Sequence, residues 1–450
     1  MKTINTTIIT CLCIAISMVF PKNLHAQNTR HFSLEQAIEY ANVHNYNIIN
    51  SGKDLELAKQ KIKESLAEGL PQINASIHYH DNLERPVFVL PGEFVGEPGT
   101  ELAVQFGTKY DADLSGQLTQ LIFDGRYLVG LKAAKVALEK SNKDFFKNKL
   151  AVKEQISNAY YQILAIKESL HIVDSILAVT KKLSDETNHI YQAGMAKDVD
   201  VDQVNLLVSN LESTQSNLKS QYGIATALLK FYLGLGDRDT IVLTDSAPLL
   251  LQRVEREIGT AAPFDVNKNI DMQTIQTMKQ ISKLQIMLAK AAYVPTLNAI
   301  LSYETQAQRP IWNFLNKGPW YQSAIVGVTM NIPILSSGSR ASQLKQAKIA
   351  YQQTSVLERQ TENQLKIQYE TLLNDYFNAK RIYENKNKNR TIAEKIYQKT
   401  MEEFRQGMAT SLDLLNTHNQ FLNAESEFIN SGLALFQSSQ KLITTSTIAQ

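Results

Sequence analysis

Cysteine is nearly absent from this chain, and both cysteines lie in its first segment. The 450 residues contain only Cys11 and Cys13, which fall inside an apolar run from about residue 8 to residue 20. A basic start, a short apolar run and a small residue such as Ala26 after it are typical of a secretory signal peptide. We therefore predict a signal peptide over residues 1–26 and a mature chain without a disulfide framework.

A long hydrophobic run is missing from the rest of the chain. No later window contains 18 or more consecutive apolar residues, so the sequence offers no candidate for a membrane-spanning helix. If the protein enters a membrane, it must do so as β-strands. An excess of charge of one sign is missing as well, since 46 Lys and Arg stand against 44 Asp and Glu. This balance argues against a nucleic-acid partner.

The sequence also lacks the motifs of common catalytic sites. It contains no nucleotide-binding loop, no Gly-x-Ser-x-Gly elbow and no His-Glu-x-x-His pair, so we expect neither enzymatic activity nor a cofactor. His78 and His80 share one face of a predicted strand, but a complete metal site needs about three or four protein ligands. Asp198, Asp200 and Asp202 alternate as in a calcium loop, yet the glycine and closing glutamate of such a loop are missing. We therefore predict no metal site.

What the chain does contain is a very long helical pattern. Between Gly125 and Gly194 there is no proline and, apart from Gly130, no interior glycine. An uninterrupted helix of that length would measure about 100 Å, far more than a compact soluble domain needs. Apolar residues recur along it with the heptad spacing of a helix that packs against other helices: Val152, Ile156, Ala159, Ile163, Ile166 and Leu170.

The same pattern occurs a second time, 213 residues later. The segment Tyr191-Gln-Ala-Gly-Met-Ala returns as Phe404-Arg-Gln-Gly-Met-Ala, and the heptad positions return at the same offset. Because one offset carries both features, we predict a tandem duplication, with a first structural repeat over 27–235 and a second over 236–450. Each repeat would hold a helix, a β-hairpin and a long helical hairpin that turns at a glycine, and a short linker region would open the second.

Strict alternation of apolar and polar residues replaces the helical period before each long helix. One apolar and one mostly polar face is typical of a transmembrane β-barrel, although a half-buried strand of a soluble sandwich has the same period. A further alternating strand follows in each repeat, over 113–123 and 324–335, and closes a hairpin. The apolar positions of the first strand in each repeat are Ile73, Ala75, Ile77 and Tyr79, and Leu297, Ala299, Leu301 and Tyr303.

The number of strands predicts a partner. Two hairpins supply four strands, whereas the smallest closed membrane barrels have about eight. An open sheet edge is not tolerated in lipid, so several copies of the chain must share one barrel. Two, three or four copies would give about 8, 12 or 16 strands. The predicted fold class is therefore mainly α with a transmembrane β part.

Several motifs together resemble the TolC-like outer-membrane efflux protein family. They are Ser33-Leu-Glu-Gln-Ala-Ile, Leu70-Pro71 before an alternating strand, Ile122-Phe-Asp-Gly-Arg and the two Tyr/Phe-x-x-Gly turns, in an order that spans about residues 30–443. The resemblance implies a homotrimer with a shared 12-stranded β-barrel in the outer membrane, which continues into a long α-helical coiled-coil barrel across the periplasm. It also implies a passive exit duct of a tripartite efflux or secretion system, which receives substrates from an inner-membrane transporter through a periplasmic adaptor protein.

The same resemblance places a gate at the far end of the helical hairpins. Asp413, six residues past Gly407, matches a gate acid of the family, while Asn416 stands where the family has a second acid. In the first repeat Asp200 and Gln203 occupy these positions. Three copies of Asp413 would form a carboxylate ring that favours cations and in which like charges raise one another's pKa. A plain role at a helix N-terminus is the alternative for both aspartates.

Adaptor docking is the other function that the resemblance assigns to the two turns of the helical hairpins, the tips. The implied docking residues are Tyr191, Gly194, Met195 and Lys197 in the first tip, and Phe404, Gly407, Met408 and Thr410 in the second.

A different class of protein also fits the patterns. A non-channel periplasmic or surface coiled-coil scaffold, whose alternating segments only cap the long helices, would have the same heptads. Extraction with the outer-membrane fraction would separate it from a duct. The sequence leaves open whether a duct would carry drugs, metal ions, or secreted proteins or peptides.

Overall fold

The computed structural model describes residues 29–91, 96, 98–259, 263–316 and 318–447. The predicted signal peptide, with both cysteines, lies outside the described residues. Helices account for most of the described chain, and no helix in these ranges is both long and apolar enough to cross a membrane. The elements in chain order are β1 (Thr29–Phe32), α1 (Leu34–His44), α2 (Tyr46–Ala67), β2 (Gln72–Asp81), β3 (Val87–Pro91), β4 (Glu101–Gln105), β5 (Tyr110–Phe123), α3 (Gly125–Gln192), α4 (Asp198–Leu233), β6 (Thr240–Leu243), α5 (Ala247–Gly259), α6 (Ile270–Ala291), β7 (Thr296–Arg309), β8 (Tyr321–Asn331), α7 (Ser339–Arg405) and α8 (Ser411–Ser446).

The first predicted helix is two helices, separated at Asn45. Its start is as expected, because Ser33 and Gln36 form a reciprocal capping box. At Asn45 the backbone is extended, and the side-chain oxygen accepts from the amides of Asn47 and Ile48 at 2.9 and 3.2 Å. The side-chain amide donates to the carbonyl of Tyr232 at 2.6 Å. This contact with a distant residue explains a break that helical periodicity alone does not reveal.

The four predicted strands form one antiparallel sheet in the order β2-β5-β7-β8. Apolar residues lie in register across it, since Ile73 pairs with Leu118, Leu118 with Leu301, and Leu301 with Val326. Three of these four side chains are strongly exposed, with Ile73 at 75% and Val326 at 83%. The predicted apolar face therefore exists, and the described residues leave it open at Ile73, Leu301 and Val326.

The opposite face of the sheet is polar and internally bonded. The hydroxyls of Ser76 and Ser115 lie 2.8 Å apart, and His78 Nδ1 lies 2.8 Å from a carboxylate oxygen of Asp113. The alternation read from the sequence thus separates two chemically different faces. The last strand ends at Asn331 rather than at residue 335, shortly before Pro333, which cannot donate to a ladder.

Four of these elements were not predicted. The long connection after β2 contains a two-stranded ribbon of β3 and β4. The first described residues form strand β1, which pairs in parallel with β6. We expected the first helix to run from His31 to Leu66, and His31 and Phe32 belong to this strand instead. The region between the repeats also contains the helix α5, where we expected only a small packing region.

The chain divides into two compact units. One consists of the described chain up to Ile49, Asn148–Phe264 and Gln368–Thr447, and the other of Asn50–Lys147 and Asp265–Ile367. In the first unit five of the six heptad positions of α3 are buried, from Val152 to Ile166. The buried hydroxyl of Tyr160 donates to the carbonyl of Phe32 at 2.8 Å and to Asp245 at 3.1 Å, and burial raises its pKa. These contacts fix α3 against the β1–β6 pair.

Candidate functional site at the helical hairpin tips

Both helical hairpins turn through the same backbone motif. At the first tip the amides of Gly194 and Met195 donate to the carbonyls of Tyr191 and Ile190 at 2.8 and 3.0 Å. The equivalent bonds of Gly407 and Met408 at the second tip measure 2.9 and 2.8 Å. The glycines have φ of 76° and 72°, in the left-handed region that a residue other than glycine adopts only at a cost. Each tip is therefore a Schellman motif, and both predicted turns are confirmed.

The outer surface of the tips is apolar in places and open. Met195 and Met408 are 77% and 69% exposed, and Tyr191 and Leu412 are exposed as well. Phe404 differs, because it packs against the buried core beneath the tips. Of the predicted docking residues, the two methionines and Tyr191 thus offer apolar surface, while Gly194 and Gly407 shape the turns.

The predicted gate acid Asp413 closes a capping box with Thr410. One carboxylate oxygen accepts from the Thr410 hydroxyl at 2.6 Å and from its backbone amide at 3.1 Å. The Thr410 hydroxyl in turn accepts from the Asp413 amide at 3.1 Å. These hydrogen bonds, the side-chain one first, hold the pKa of the exposed Asp413 below its ordinary value. The exposed carboxylate is thus kept ionised within the protomer.

The equivalent aspartate of the first repeat does something different. Asp200 is half-buried and accepts a short hydrogen bond from the hydroxyl of Ser411 in the second tip. Its other oxygen accepts from the amide of Lys197 at 3.3 Å. Asp200 therefore joins the two tips, whereas Asp413 is bonded only within its own tip. The side-chain oxygen of Gln203 is buried without a hydrogen-bond partner, and Asn416 is exposed.

A mixed core lies beneath the tips. It is mainly aliphatic, with Leu207, Leu211 and Leu414 almost fully buried. His418 is buried in it at 1% exposure, in edge contact with the ring of Tyr397 at 5.2 Å. Neither ring nitrogen has a hydrogen-bond partner, and burial lowers the pKa of His418 to about 4. The side chain is therefore neutral at pH 7.

Three buried polar residues of this region, Ser411, His418 and Glu425, were not predicted from the sequence, although their spacing could have identified them. The buried positions Ser411, Leu414, His418, Phe421 and Glu425 of α8 are spaced 3, 4, 3 and 4, which is a heptad register. A polar residue at a heptad position lies in the core, where burial of apolar surface does not account for its side chain. A search for polar residues at heptad positions in α8, the second helix of the second hairpin, would have found these three residues.

No group of three or more His, Cys, Asp or Glu side chains is arranged to hold a metal ion in the described parts of the chain. His78, considered above as a ligand, is instead bonded to Asp113. Asp198 accepts from the amide of Val199 at 2.8 Å, as a residue at the start of a helix does.

Known proteins share both this fold and this sequence pattern. The sequence model of the outer membrane efflux protein family matches residues 38–235 and 267–446. The crystal structure of the outer membrane protein VceC from Vibrio cholerae has a TM-score of 0.67 at 17% identity and covers 91% of this chain and 95% of that one. The outer membrane channel CmeC from Campylobacter jejuni has a TM-score of 0.69 at 15% identity, covering 92% and 85%.

One curated relative matches at lower coverage. The outer membrane protein TolC of Vibrio cholerae is 20% identical over 209 residues, which are 44% of this chain and 45% of that protein. The chain thus matches about half the length of this relative.

A sheet with exposed apolar positions and two long helical hairpins place the chain in the class of outer-membrane channel proteins. The family match covers most of the chain, and the chain belongs to the outer membrane efflux protein family. It is a protein of the outer membrane with a long helical part in the periplasm. The family consists of channels rather than enzymes.

Proposed function

We propose that the chain is one third of a passive exit duct. The observation that carries this proposal is the open sheet, because β2 and β8 each pair on one side only within the described chain. Three copies would close a 12-stranded barrel without free edges. The exposed rows through Ile73 and Val326 would then face the lipid of the outer membrane, and the polar row through His78 and Asp113 would face the lumen.

We propose a tandem duplication as the origin of the protomer. The two Schellman tips support it, because they recur 213 residues apart with similar geometry, and in each the aspartate three residues after the N-cap accepts from the N-cap amide. The repeat boundaries of 27–235 and 236–450 remain our prediction. The two compact units each draw on both halves of the chain, as expected if two similar hairpins pack side by side.

The tips are the proposed docking surface for a periplasmic adaptor protein, which would connect the duct to an inner-membrane transporter. Exposed Met195 and Met408 support this role, since methionine adapts to varied partner surfaces. The transport energy would come from the partner, because the sequence contains no nucleotide-binding loop. Lys197 and Thr410, which cap the return helices, would set the polar edge of this surface.

Asp413 is the proposed periplasmic gate. An ionised carboxylate on an exposed helix start, repeated in three copies, would form a ring that favours cations. Asn416 weakens that ring relative to one with two acids. Asp200 and Gln203 would take part indirectly, because Asp200 holds the second tip through Ser411.

The oligomeric state tests this proposal. The intact protein, extracted from outer membranes in detergent, should have a mass of three copies by native mass spectrometry. One or two copies would contradict a 12-stranded barrel. Release of the folded protein without detergent would instead favour the coiled-coil scaffold.

A further inference from the structure

A cleft of about 390 Å³ lies between α3, α7 and α8, within the compact unit that contains Asn148–Phe264 and Gln368–Thr447. Its volume falls within the range of small-molecule sites. Glu168 and His171 of α3 lie on one side, and Arg390, Glu394 and Tyr397 of α7 lie on the other. Phe421 and Glu425 of α8 complete the lining. The cleft thus combines aromatic walls with several ionisable side chains.

Glu425 is the unusual member of this lining. It is 6% exposed, and its Oε1 atom has no hydrogen-bond partner. The nearest cationic atom, Nη1 of Arg390, is 3.8 Å away, too far for a hydrogen bond. Arg390 is positioned instead over the ring of Phe428, with its guanidinium carbon 4.7 Å from the ring centre. A buried carboxylate oxygen without a donor is costly. Oε1 of Glu425 therefore lacks a donor, and Nε of Arg390 is likewise buried without an acceptor.

The charge of the cleft indicates which donor fits. Three carboxylates, those of Glu168, Glu394 and Glu425, line it against the one guanidinium of Arg390. Burial, together with the two neighbouring carboxylates, raises the pKa of Glu425, and Arg390 opposes this shift. A bound cation would offset the repulsion among these carboxylates and favour the ionised form of Glu425. A metal ion does not fit, because no three His, Cys, Asp or Glu side chains of the described residues are arranged to hold one.

The walls of the cleft indicate the body of the ligand. Tyr397 and Phe421 are both 6% exposed, and their rings are stacked with centres 5.6 Å apart. Aromatic faces attract organic cations and pack against flat apolar groups. A planar cation with one ring is small enough for this volume.

We propose that the cleft binds a small organic cation of the amidinium, guanidinium or ammonium type. Its charged end would pair with the carboxylate of Glu425, and its apolar body would lie against Tyr397 and Phe421. This site is distinct from the tips and does not depend on conduction through the protein.

Calorimetric titration of the full-length protein in detergent with benzamidine tests the proposal. Benzamide, which has the same shape without the charge, is the matched ligand. Charge-assisted hydrogen bonds are about twice as strong as neutral ones, so we expect benzamidine to bind at least about 10-fold more tightly than benzamide. Equal affinities, or no binding of either compound, would overturn the proposal.

Two variants locate the binding. Glu425→Gln should weaken benzamidine binding about 10- to 100-fold, whereas Glu427→Gln should leave it unchanged. Glu427 is a suitable control because it lies on the same helix, is 57% exposed and pairs with Lys386 outside the cleft. Unchanged affinity in Glu425→Gln would contradict the assignment.

If Glu425→Gln does not fold, the affinity of the native protein for benzamidine can be measured as a function of pH instead. Protonation of Glu425 should abolish benzamidine binding, and this loss should occur at a higher pH than an ordinary glutamate would give. The other charged or titratable groups facing the cleft are Glu168, His171, Arg390, Glu394 and Tyr397. Glu394→Gln should weaken binding only about 3-fold, as expected for a charge at the rim. Affinity that is constant from pH 7 to pH 4 would contradict the proposal.

Discussion

The hydrogen bond from Ser411 to Asp200 predicts that the two tips depend on each other. Ser411 is 5% exposed, and it is the residue through which the second tip contacts the Asp200 carboxylate. Ser411→Ala removes the hydroxyl donor and leaves Oδ1 of the half-buried Asp200 without this hydrogen bond. A hydrogen bond to a charged group contributes about 1.5–3 kcal/mol. Local opening of the tips should therefore become roughly 10- to 100-fold more frequent.

Amide hydrogen exchange measured by mass spectrometry gives the readout. Peptides that cover 191–205 and 404–418 should exchange faster in Ser411→Ala, and peptides of the sheet should not change. Ser213→Ala is the matched control, because the Ser213 hydroxyl is exposed and bonds only to the carbonyl of Ser209 in its own helix, at 2.9 Å. Equal exchange at both tips in Ser411→Ala and the native chain would refute the reasoning.

Three further predictions concern single residues near the tips. Thr410→Ala should raise the pKa of Asp413 towards its ordinary value, since the Thr410 hydroxyl is the main cause of the lowered pKa; an unchanged carboxyl titration by NMR would contradict this. His418 has a folded pKa of about 4 against an ordinary 6.5, so between these values the unfolded chain binds a proton that the folded chain does not, and the fold loses stability as the pH falls from 6.5 towards 4. His418→Leu should remove up to about 3 kcal/mol of that acid sensitivity, which unfolding curves at pH 7 and pH 4.5 would show, and an equal loss in both proteins would contradict it. Gly407→Ala should lower the free energy of unfolding by about 1 kcal/mol, because Gly407 has a positive φ. Gly223 lies within a helix with open space around it, so Gly223→Ala should raise the free energy of unfolding by about 0.5–1 kcal/mol. Unfolding midpoints that shift in the same direction in both variants would contradict this pair of predictions.

Local and periodic features of this fold could be predicted from the sequence. The tip glycines, the capping box at Ser33 and the faces of the strands follow from backbone geometry or from period, which neighbouring residues determine. The partner rows of the sheet could not be predicted in this way, because a shift of two residues leaves the same side chains on the same face; the pairing of Ile73 with Leu118 is known only from the structure. The family resemblance then supplied the arrangement of the hairpins.

Features that depend on distant partners could not be predicted in this way. The break at Asn45 is fixed by a hydrogen bond to the carbonyl of Tyr232, and strand β1 forms because β6 pairs with it. Asp200 and Asp413 occupy equivalent positions in the two repeats, yet only Asp200 reaches across to the other tip. The sequence identified both aspartates as candidates, but their different contacts appear only when the two hairpins are packed together.

The central claim is that this chain forms a duct gated at the second tip. Single-channel recording in a planar bilayer tests it most directly, with the native protein, Asp413→Ala and the control Asp185→Ala, an exposed aspartate on α3. We predict a cation-selective conductance that increases, or loses its block by divalent cations, only in Asp413→Ala. Unchanged conductance and selectivity in that variant would reject the gate, and the absence of any conductance from folded, inserted protein would contradict the duct itself.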